Sequence, residues 1–285
     1  MVCPRNLSKN VLFFKIENLV VSKIIKVRAF FIKHSSEHIS KTKRGEYIKT
    51  TIKKRLQQQT NNIVKNHYNI LKQNEVYNIA VMVLDVHTRK VLTYVGNSPT
   101  DKAHQKDVNI INKPRSTGSV LKPFLYAAML DSGDLLPNTL VADVPTQFGS
   151  YNPENFNKEY DGVVPASKAL SRSLNVPAVR MLQSFGLDRF HHYLKELQLK
   201  DLKHNANHYG LTLILGGAES NLWDLCKSYA SLSSTLNHFS ENSSEYFSNE
   251  FCEPTFLILK LLILERKLQI KLYLMQLPFF SLTKV

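Results

Sequence analysis

The sequence predicts a mixed domain of the α/β (α+β) class, in which an antiparallel pair of strands is combined with a series of helices. Two short apolar runs, Asn78–Asp85 and Lys90–Val95, flank a turn, and this spacing is typical of an antiparallel hairpin. Segments with apolar residues three or four positions apart precede and follow the hairpin and indicate helices. A chain of 285 residues, 43% of them hydrophobic, can build a core around both kinds of element.

The predicted elements follow one another along the chain. A first helix is expected from Lys49 to Leu71, before the hairpin, and a second from Ser119 to Leu130, with Pro123 in its first turn, where a missing N–H is tolerated. The later segments are an irregular stretch at 135–161, a short helix at 165–171, a turn at 172–176, and helices at 177–186 and 187–197. Gly216-Gly217 interrupts the pattern. A last helix is predicted with Ser220 as its N-cap and one apolar stripe of Leu222, Leu225, Cys226, Tyr229 and Leu232.

Charge and composition divide the chain into three predicted parts. The formal net charge is +14, but residues 1–75 carry 16 Lys or Arg against 4 acidic residues, whereas residues 100–225 carry 13 of each. We predict a basic irregular flank at 1–45, the folded domain at 46–240 and an atypical Leu- and Lys-rich tail at 241–285. A neutral domain argues against nucleic acid as a partner. A solvated face is the ordinary role of a basic flank, and attraction to an anionic polymer or lipid is the alternative.

The composition predicts no cofactor and no metal site. Cys3, Cys226 and Cys252 form neither a disulfide framework nor a metal-binding pattern, and the histidines show no zinc spacing. Cys226 is expected to be a buried free thiol. We predict no membrane span, because no segment reaches the roughly 20 apolar residues that one needs, and no signal peptide, because the N-terminus lacks a continuous apolar core and a cleavage site.

The most informative motif runs from Pro114 to Phe124 and places Ser119 three residues before Lys122 at the start of an apolar helix. Residues i and i+3 share one helix face, so the amine can lie beside the hydroxyl. A desolvated lysine has a lowered pKa and can take the serine's proton. Gly118 is expected to allow close backbone packing, and the helix N-terminus offers N–H groups to a developing oxyanion. The alternative is that Ser119 is a simple N-cap and Lys122 a surface lysine.

A second motif, Ser173-Leu-Asn175, lies on the turn between two predicted helices. A hydroxyl there can relay a proton, and a carboxamide offers both a donor and an acceptor to a substrate amide. The alternative is that both side chains cap helices. The segment Tyr151–Phe156 lies in the irregular stretch, and we interpret it as a loop anchored by aromatic packing.

From about Lys49 to about Ser234, the chain resembles the transpeptidase domain of class A penicillin-binding proteins, and the likeness is to the penicillin-binding protein 1C group. The motifs that carry it are Val83–Asp85, Tyr94–Asn97, Pro114–Ala127, Pro153–Phe156, Ser173–Val179 and His208–Glu219. The resemblance implies an antiparallel sheet flanked by helices. It also implies that Ser119 is the acylated nucleophile and an oxyanion-hole donor, Lys122 its base, Ser173 the proton relay and Asn175 the residue that positions the donor peptide.

The resemblance further implies peptidoglycan stem peptides and β-lactams as partners and a place in the cell envelope, at the periplasmic face of the inner membrane. The family has a membrane anchor, a glycosyltransferase domain and a Lys-Thr-Gly strand, and none of these is found in this sequence. We therefore expect a truncated, catalytically impaired transpeptidase whose tail results from out-of-frame translation. The alternatives are a β-lactam-opening hydrolase or sensor, and a non-catalytic basic protein that binds peptidoglycan or membrane.

Overall fold

A computed structural model describes residues 12–15, 47–245 and 250–255 of the chain. The strands are β1 (Leu12–Lys15), β2 (Tyr47–Thr50), β3 (Val81–Leu84), β4 (Val91–Val95), β5 (Arg115–Ser116), β6 (Leu140–Asp143), β7 (Gly162–Pro165) and β8 (Glu219–Ser220). The helices are α1 (Lys54–Leu71), α2 (Lys122–Asp131), α3 (Ala166–Ser171), α4 (Asn175–Phe185), α5 (Leu187–Glu196), α6 (Ala206–Tyr209) and α7 (Leu222–Glu241). Short 3₁₀ helices follow α1 at Lys72–Asn74 and α6 at Gly210–Leu215.

The predicted fold class is confirmed, because helices are combined with antiparallel strands. In the described part of the chain the strands form four two-stranded sheets, β1–β2, β3–β4, β5–β8 and β6–β7, all antiparallel. The predicted hairpin is β3–β4, in which Val81 pairs with Val95 and the register shifts between Val83 and Leu84. One strand, β1, lies within the flank that we predicted to be irregular.

The main core lies where α2, α4 and α5 meet the 3₁₀ helix at Gly210–Leu215. Its fully buried side chains include Leu121, Phe124, Leu125, Val179, Leu182, Phe190, Leu194, Leu213 and Ile214. Two large clusters of apolar side chains hold the domain together, and in the second one Ile52, Met82, Val91, Tyr94 and Ile111 pack with α7. Burial of each large apolar side chain contributes about 1.5–3 kcal/mol. The start of α2 is therefore held by the core through Leu121, Phe124 and Leu125, whereas Ser119 is exposed.

Further sequence predictions differ from the structure. The first helix, expected from Lys49, begins at Lys54, and Lys49 and Thr50 belong to strand β2. The irregular stretch at 135–161 contains β6, which pairs with β7 over Leu140–Asp143. The N-cap of α7 is Asn221, whose side chain accepts from the Asp224 N–H, and not Ser220. The predicted apolar stripe of α7 is only half buried, whereas the most buried side chains of this helix are largely polar and include Asp224, Lys227, Ser228, Ser231 and Ser234.

The segment Glu250–Thr255 packs against the domain, although it lies beyond the predicted boundary at residue 240. Thr255 forms a parallel bridge with Lys90, and its carbonyl accepts from the Val91 N–H at 2.8 Å. Glu253 accepts from the Lys227 ammonium at 3.2 Å and from the Trp223 indole at 3.1 Å. The predicted boundaries at 45 and 240 stay predictions, as does the irregular character of residues 1–11 and 16–45. Those residues, and residues 246–249 and 256–285 of the predicted Leu- and Lys-rich tail, lie outside the described residues. None of the helices within the described ranges has the length and apolarity needed to cross a membrane.

Candidate active site

Ser119 lies in the turn that leads into α2, and its side chain is exposed. The helix begins at Lys122, three residues later than predicted, because residues 118–121 form tight turns in which the Lys122 N–H donates to the Ser119 carbonyl at 3.1 Å. Pro123 lies in the first turn of α2, as predicted. An exposed hydroxyl at the mouth of a buried helix is accessible to a substrate while its backbone stays fixed.

The turn is anchored by a segment about 100 residues further along the chain. Strand β5 pairs with β8, the Ser116 hydroxyl donates to the Gly216 carbonyl at 2.7 Å, and the Thr117 N–H donates to the Ala218 carbonyl at 3.1 Å. Gly216 has a φ of +107°, and a Cβ there would lie 2.8 Å from the Gly118 nitrogen. Close packing around Gly118 was predicted, but its partner Gly216 was interpreted only as a breaker. The Gly216-Gly217 pair indicated an unusual backbone conformation in the sequence, but not which residues it contacts.

Lys122 is buried, with 4% of its surface exposed, and its ammonium contacts both ends of the second motif. It donates to the Ser173 carbonyl at 2.8 Å, the Ser173 hydroxyl at 3.2 Å and the Asn175 Oδ1 at 2.7 Å. Burial lowers the pKa of Lys122 from 10.5 to about 8. The structure thus brings together three of the four predicted site residues and makes one of them an amine that can lose its proton near neutral pH.

The Ser119 hydroxyl is not joined to the Lys122 amine by a hydrogen bond in the described structure, in which the three acceptors of the amine belong to Ser173 and Asn175. The contact between the two residues is through the backbone, where the Lys122 N–H donates to the Ser119 carbonyl at 3.1 Å. The role of Ser119 as nucleophile, and that of its N–H as an oxyanion donor, stay predictions.

Ser173 adopts a φ of +54°, a left-handed conformation that is uncommon for a residue with a Cβ. Its N–H donates to the Leu170 carbonyl at 2.9 Å, which closes the turn between α3 and α4. The turn presents the exposed hydroxyl and the carbonyl of Ser173 to the same ammonium group. Such strain persists only where neighbouring structure imposes it, and it is concentrated at functional sites.

Asn155 is a residue of this site that the sequence interpretation missed. Its Oδ1 accepts from the N–H groups of Asn175 at 2.9 Å and Val176 at 3.2 Å, so it caps α4 from 20 residues upstream. The predicted aromatic loop is therefore also a polar support for the second motif. No periodicity or spacing reveals such a contact, although the position of Asn155 in a long irregular stretch was a general indication of function.

A metal site is not indicated in the part of the chain that the structure describes, since no group of three or more His, Cys, Asp or Glu side chains converges there. The site chemistry consists of hydroxyl groups, a carboxamide and an amine of lowered pKa. This set of groups can perform nucleophilic attack by a serine and transfer its proton to a neighbouring base.

Comparison with known proteins agrees with this chemistry. A family model described as the penicillin binding protein transpeptidase domain matches residues 79–229, which is more than half of the chain. The chain is 36% identical over 187 residues to penicillin-binding protein 1C of Escherichia coli strain K12. This alignment covers 65% of the chain and 24% of that protein. It is 30% identical over 178 residues to penicillin-binding protein 1A of Clostridium botulinum strain Hall, covering 57% of the chain and 21% of that protein.

Solved structures of penicillin-binding proteins have the same fold. Among them, the apo structure of the TP domain of penicillin-binding protein 3 from Burkholderia pseudomallei matches with a TM-score of 0.54 at 17% identity, and the match covers 65% of the chain and 58% of that structure. The chain spans about a quarter of the length of the curated relatives that it matches.

Proposed function

The chain belongs to the penicillin-binding protein transpeptidase family, and we propose that it forms a serine ester with the D-Ala-D-Ala end of peptidoglycan stem peptides and with β-lactams. The observation that carries this proposal is the buried Lys122 amine, with a pKa of about 8, in contact with both Ser173 and Asn175. At neutral pH a larger fraction of such an amine is neutral, and therefore able to accept a proton, than of an exposed lysine.

The proposed reaction is acyl transfer in two steps. The Ser119 oxygen attacks the carbonyl carbon of the penultimate D-Ala while Lys122 takes the hydroxyl proton. The C–N bond then breaks, and the proton passes from Lys122 through the Ser173 hydroxyl to the departing D-Ala amine. A second stem-peptide amine attacks the ester carbonyl and regenerates the Ser119 hydroxyl.

In this proposal two further groups stabilise the oxyanion and orient the donor peptide. The Ser119 N–H, at the start of α2, donates to the developing oxyanion, and the Asn175 carboxamide holds the donor peptide. The resemblance assigns further substrate binding and a second oxyanion donor to a Lys-Thr-Gly motif, which does not occur among the 285 residues given. The family resemblance supports the proposal that the chain acts in the cell envelope.

Labelling with a fluorescent penicillin tests this function. The parent chain should label covalently, Ser119→Ala and Lys122→Arg should not, since a guanidinium cannot serve as a base, and Ser173→Ala should label more slowly than the parent. Ser171→Ala, which removes an exposed hydroxyl two residues before Ser173, is the matched control and should label at the parent rate. Labelling of Lys122→Arg at the parent rate would contradict the proposed base.

The stem peptide distinguishes the proposed function from its alternatives. A transferase gives an acyl-enzyme that an added amine acceptor resolves into a cross-linked peptide, whereas a β-lactam hydrolase or sensor gives none. A non-catalytic protein that binds peptidoglycan or membrane would remain unlabelled while folded.

A further inference from the structure

Asn155 is the most connected polar side chain next to the candidate site. It is buried, with 3% of its surface exposed, and every polar atom of its carboxamide has a partner. The oxygen accepts from the N–H groups of Asn175 and Val176. The nitrogen donates to Asp143 Oδ1 at 2.7 Å and to the Glu159 carbonyl at 2.9 Å. A fully satisfied buried carboxamide holds its neighbours in one arrangement.

The N-terminus of α4 depends on this residue. Its N-cap position is occupied by Leu174, whose side chain forms no capping hydrogen bond. The first N–H groups of a helix need acceptors from elsewhere when its own cap provides none. Asn155 provides the acceptor, and the carbonyl of its neighbour Glu154 accepts from the Asn175 Nδ2 at 2.9 Å.

These contacts determine which end of the Asn175 carboxamide faces Lys122. Since the Nδ2 group is held by the Glu154 carbonyl, the Oδ1 atom is left to accept from the Lys122 ammonium at 2.7 Å. Asp143 fixes the loop in turn, because it is buried with 1% exposed and binds both Asn155 and the Asp161 N–H at 3.0 Å.

We propose that Asn155, held by Asp143, is a positioning residue that orients the Asn175 carboxamide with its oxygen toward Lys122. The inference rests on the proposed function of the site. It predicts that Asn155 changes the chemistry of Lys122, which it does not touch. A loop that is merely pinned to the surface would affect folding yield without changing the titration of the lysine.

The test compares three variants with the parent by the rate of fluorescent penicillin labelling as a function of pH. At pH 9, where Lys122 is mostly neutral in both proteins, Asn155→Ala should slow acylation by about tenfold, the size expected when one buried acceptor is lost. Its pH midpoint should move to lower pH, because losing the Asn175 oxygen destabilises the charged form of Lys122. Asn157→Ala is the matched control, since Asn157 is exposed in the same loop and bonds only to Glu159.

A double variant tests the pairing itself. Asp143→Asn with Asn155→Asp exchanges the two side chains and keeps a donor–acceptor pair between them, together with an acceptor for α4, although the donor to the Glu159 carbonyl is lost. It should label at least about threefold faster than Asn155→Ala if the pair acts as one unit. A double variant as slow as Asn155→Ala, or an Asn155→Ala variant with the parent's rate and pH midpoint, would overturn the inference.

Hydrogen–deuterium exchange separates this inference from the proposed function, because it needs no activity. The N–H groups of Asn175 and Val176 should exchange faster in Asn155→Ala than in the parent, and at the parent rate in Asn157→Ala. Unchanged exchange in Asn155→Ala refutes the positioning role on its own. A folded parent that never labels refutes the proposed function and leaves the exchange result to decide the positioning of Asn175.

Discussion

Lys122 should make the acylation rate rise with pH around a midpoint near 8. Its pKa lies at about 8 because the side chain is buried, compared with 10.5 for an ordinary lysine. At pH 7 about 10% of such an amine is neutral, against about 0.03% of an ordinary lysine, a difference of about 300-fold in available base. Below the midpoint the rate should rise by about tenfold for each pH unit, and it should level off above pH 9.

The same titration should appear in stability. At neutral pH the folded protein holds a charged amine in a buried position, and the difference between 10.5 and about 8 corresponds to a cost of about 3 kcal/mol. Between these two values the unfolded chain binds the proton and the folded chain does not. The free energy of unfolding contributed by Lys122 therefore rises with pH across this window, and the cost is fully present below it.

Two measurements check this reasoning. The first is the pseudo-first-order rate of fluorescent penicillin labelling from pH 6 to pH 9.5, with the spontaneous hydrolysis of the reagent subtracted. The second is the free energy of unfolding in urea at pH 7 and pH 10 for the parent and for Lys122→Met, whose difference cancels the titration of all other groups. A labelling rate that still rises about tenfold per pH unit at pH 9.5, or the same pH dependence of stability in both proteins, would refute the lowered pKa.

Three further predictions concern the packing of the domain around the site. Gly216→Ala should lower the free energy of unfolding by about 2–4 kcal/mol, because the added Cβ meets the Ser116–Gly118 turn and Gly216 has a positive φ. Gly149 also has a positive φ but faces open space, so Gly149→Ala should lower the free energy of unfolding by about 1 kcal/mol. Equal losses for the two variants in urea unfolding would contradict the clash. Burial raises the pKa of the Cys226 thiol to about 11, so this cysteine should react with iodoacetamide at pH 8 about 100-fold more slowly in the folded protein than in urea. Similar rates in the two states, measured by mass spectrometry, would contradict the burial of the thiol. Glu253→Ala should lower the free energy of unfolding in urea by about 1–3 kcal/mol, because it leaves the fully buried Lys227 ammonium with Gln198 as its remaining partner. An unchanged unfolding midpoint would show that the Glu253 carboxylate does not stabilise the domain.

Local patterns in the sequence predict the elements that depend on neighbouring residues. The hairpin β3–β4 and the helices α2, α4 and α5 were predicted within a few residues, because apolar periodicity and the position of Pro123 are local signals. The Ser-x-x-Lys spacing likewise indicated the entrance to α2. The start of α2 was placed three residues early, since tight turns and a helical first turn share the same sequence pattern.

Contacts between distant residues could not be predicted. Asn155 caps α4 from 20 residues away, and Gly216 packs on Gly118 across nearly 100 residues. Strand β6 was missed because Leu140 is exposed, so the strand has no alternating buried face. The buried polar face of α7 was unexpected because Lys227 and Asp224 find partners in segments that sequence periodicity does not connect.

The covalent state of Ser119 tests the central claim most directly. The folded chain is incubated with a penicillin, and intact-mass measurement is followed by peptide mapping of the adduct. We predict a single penicilloyl group on the peptide that contains Ser119, and no adduct after the Ser119→Ala substitution. An adduct on Ser116 or Ser173, or an unmodified chain after prolonged incubation of folded protein at pH 9, would contradict the assignment of Ser119 as the nucleophile.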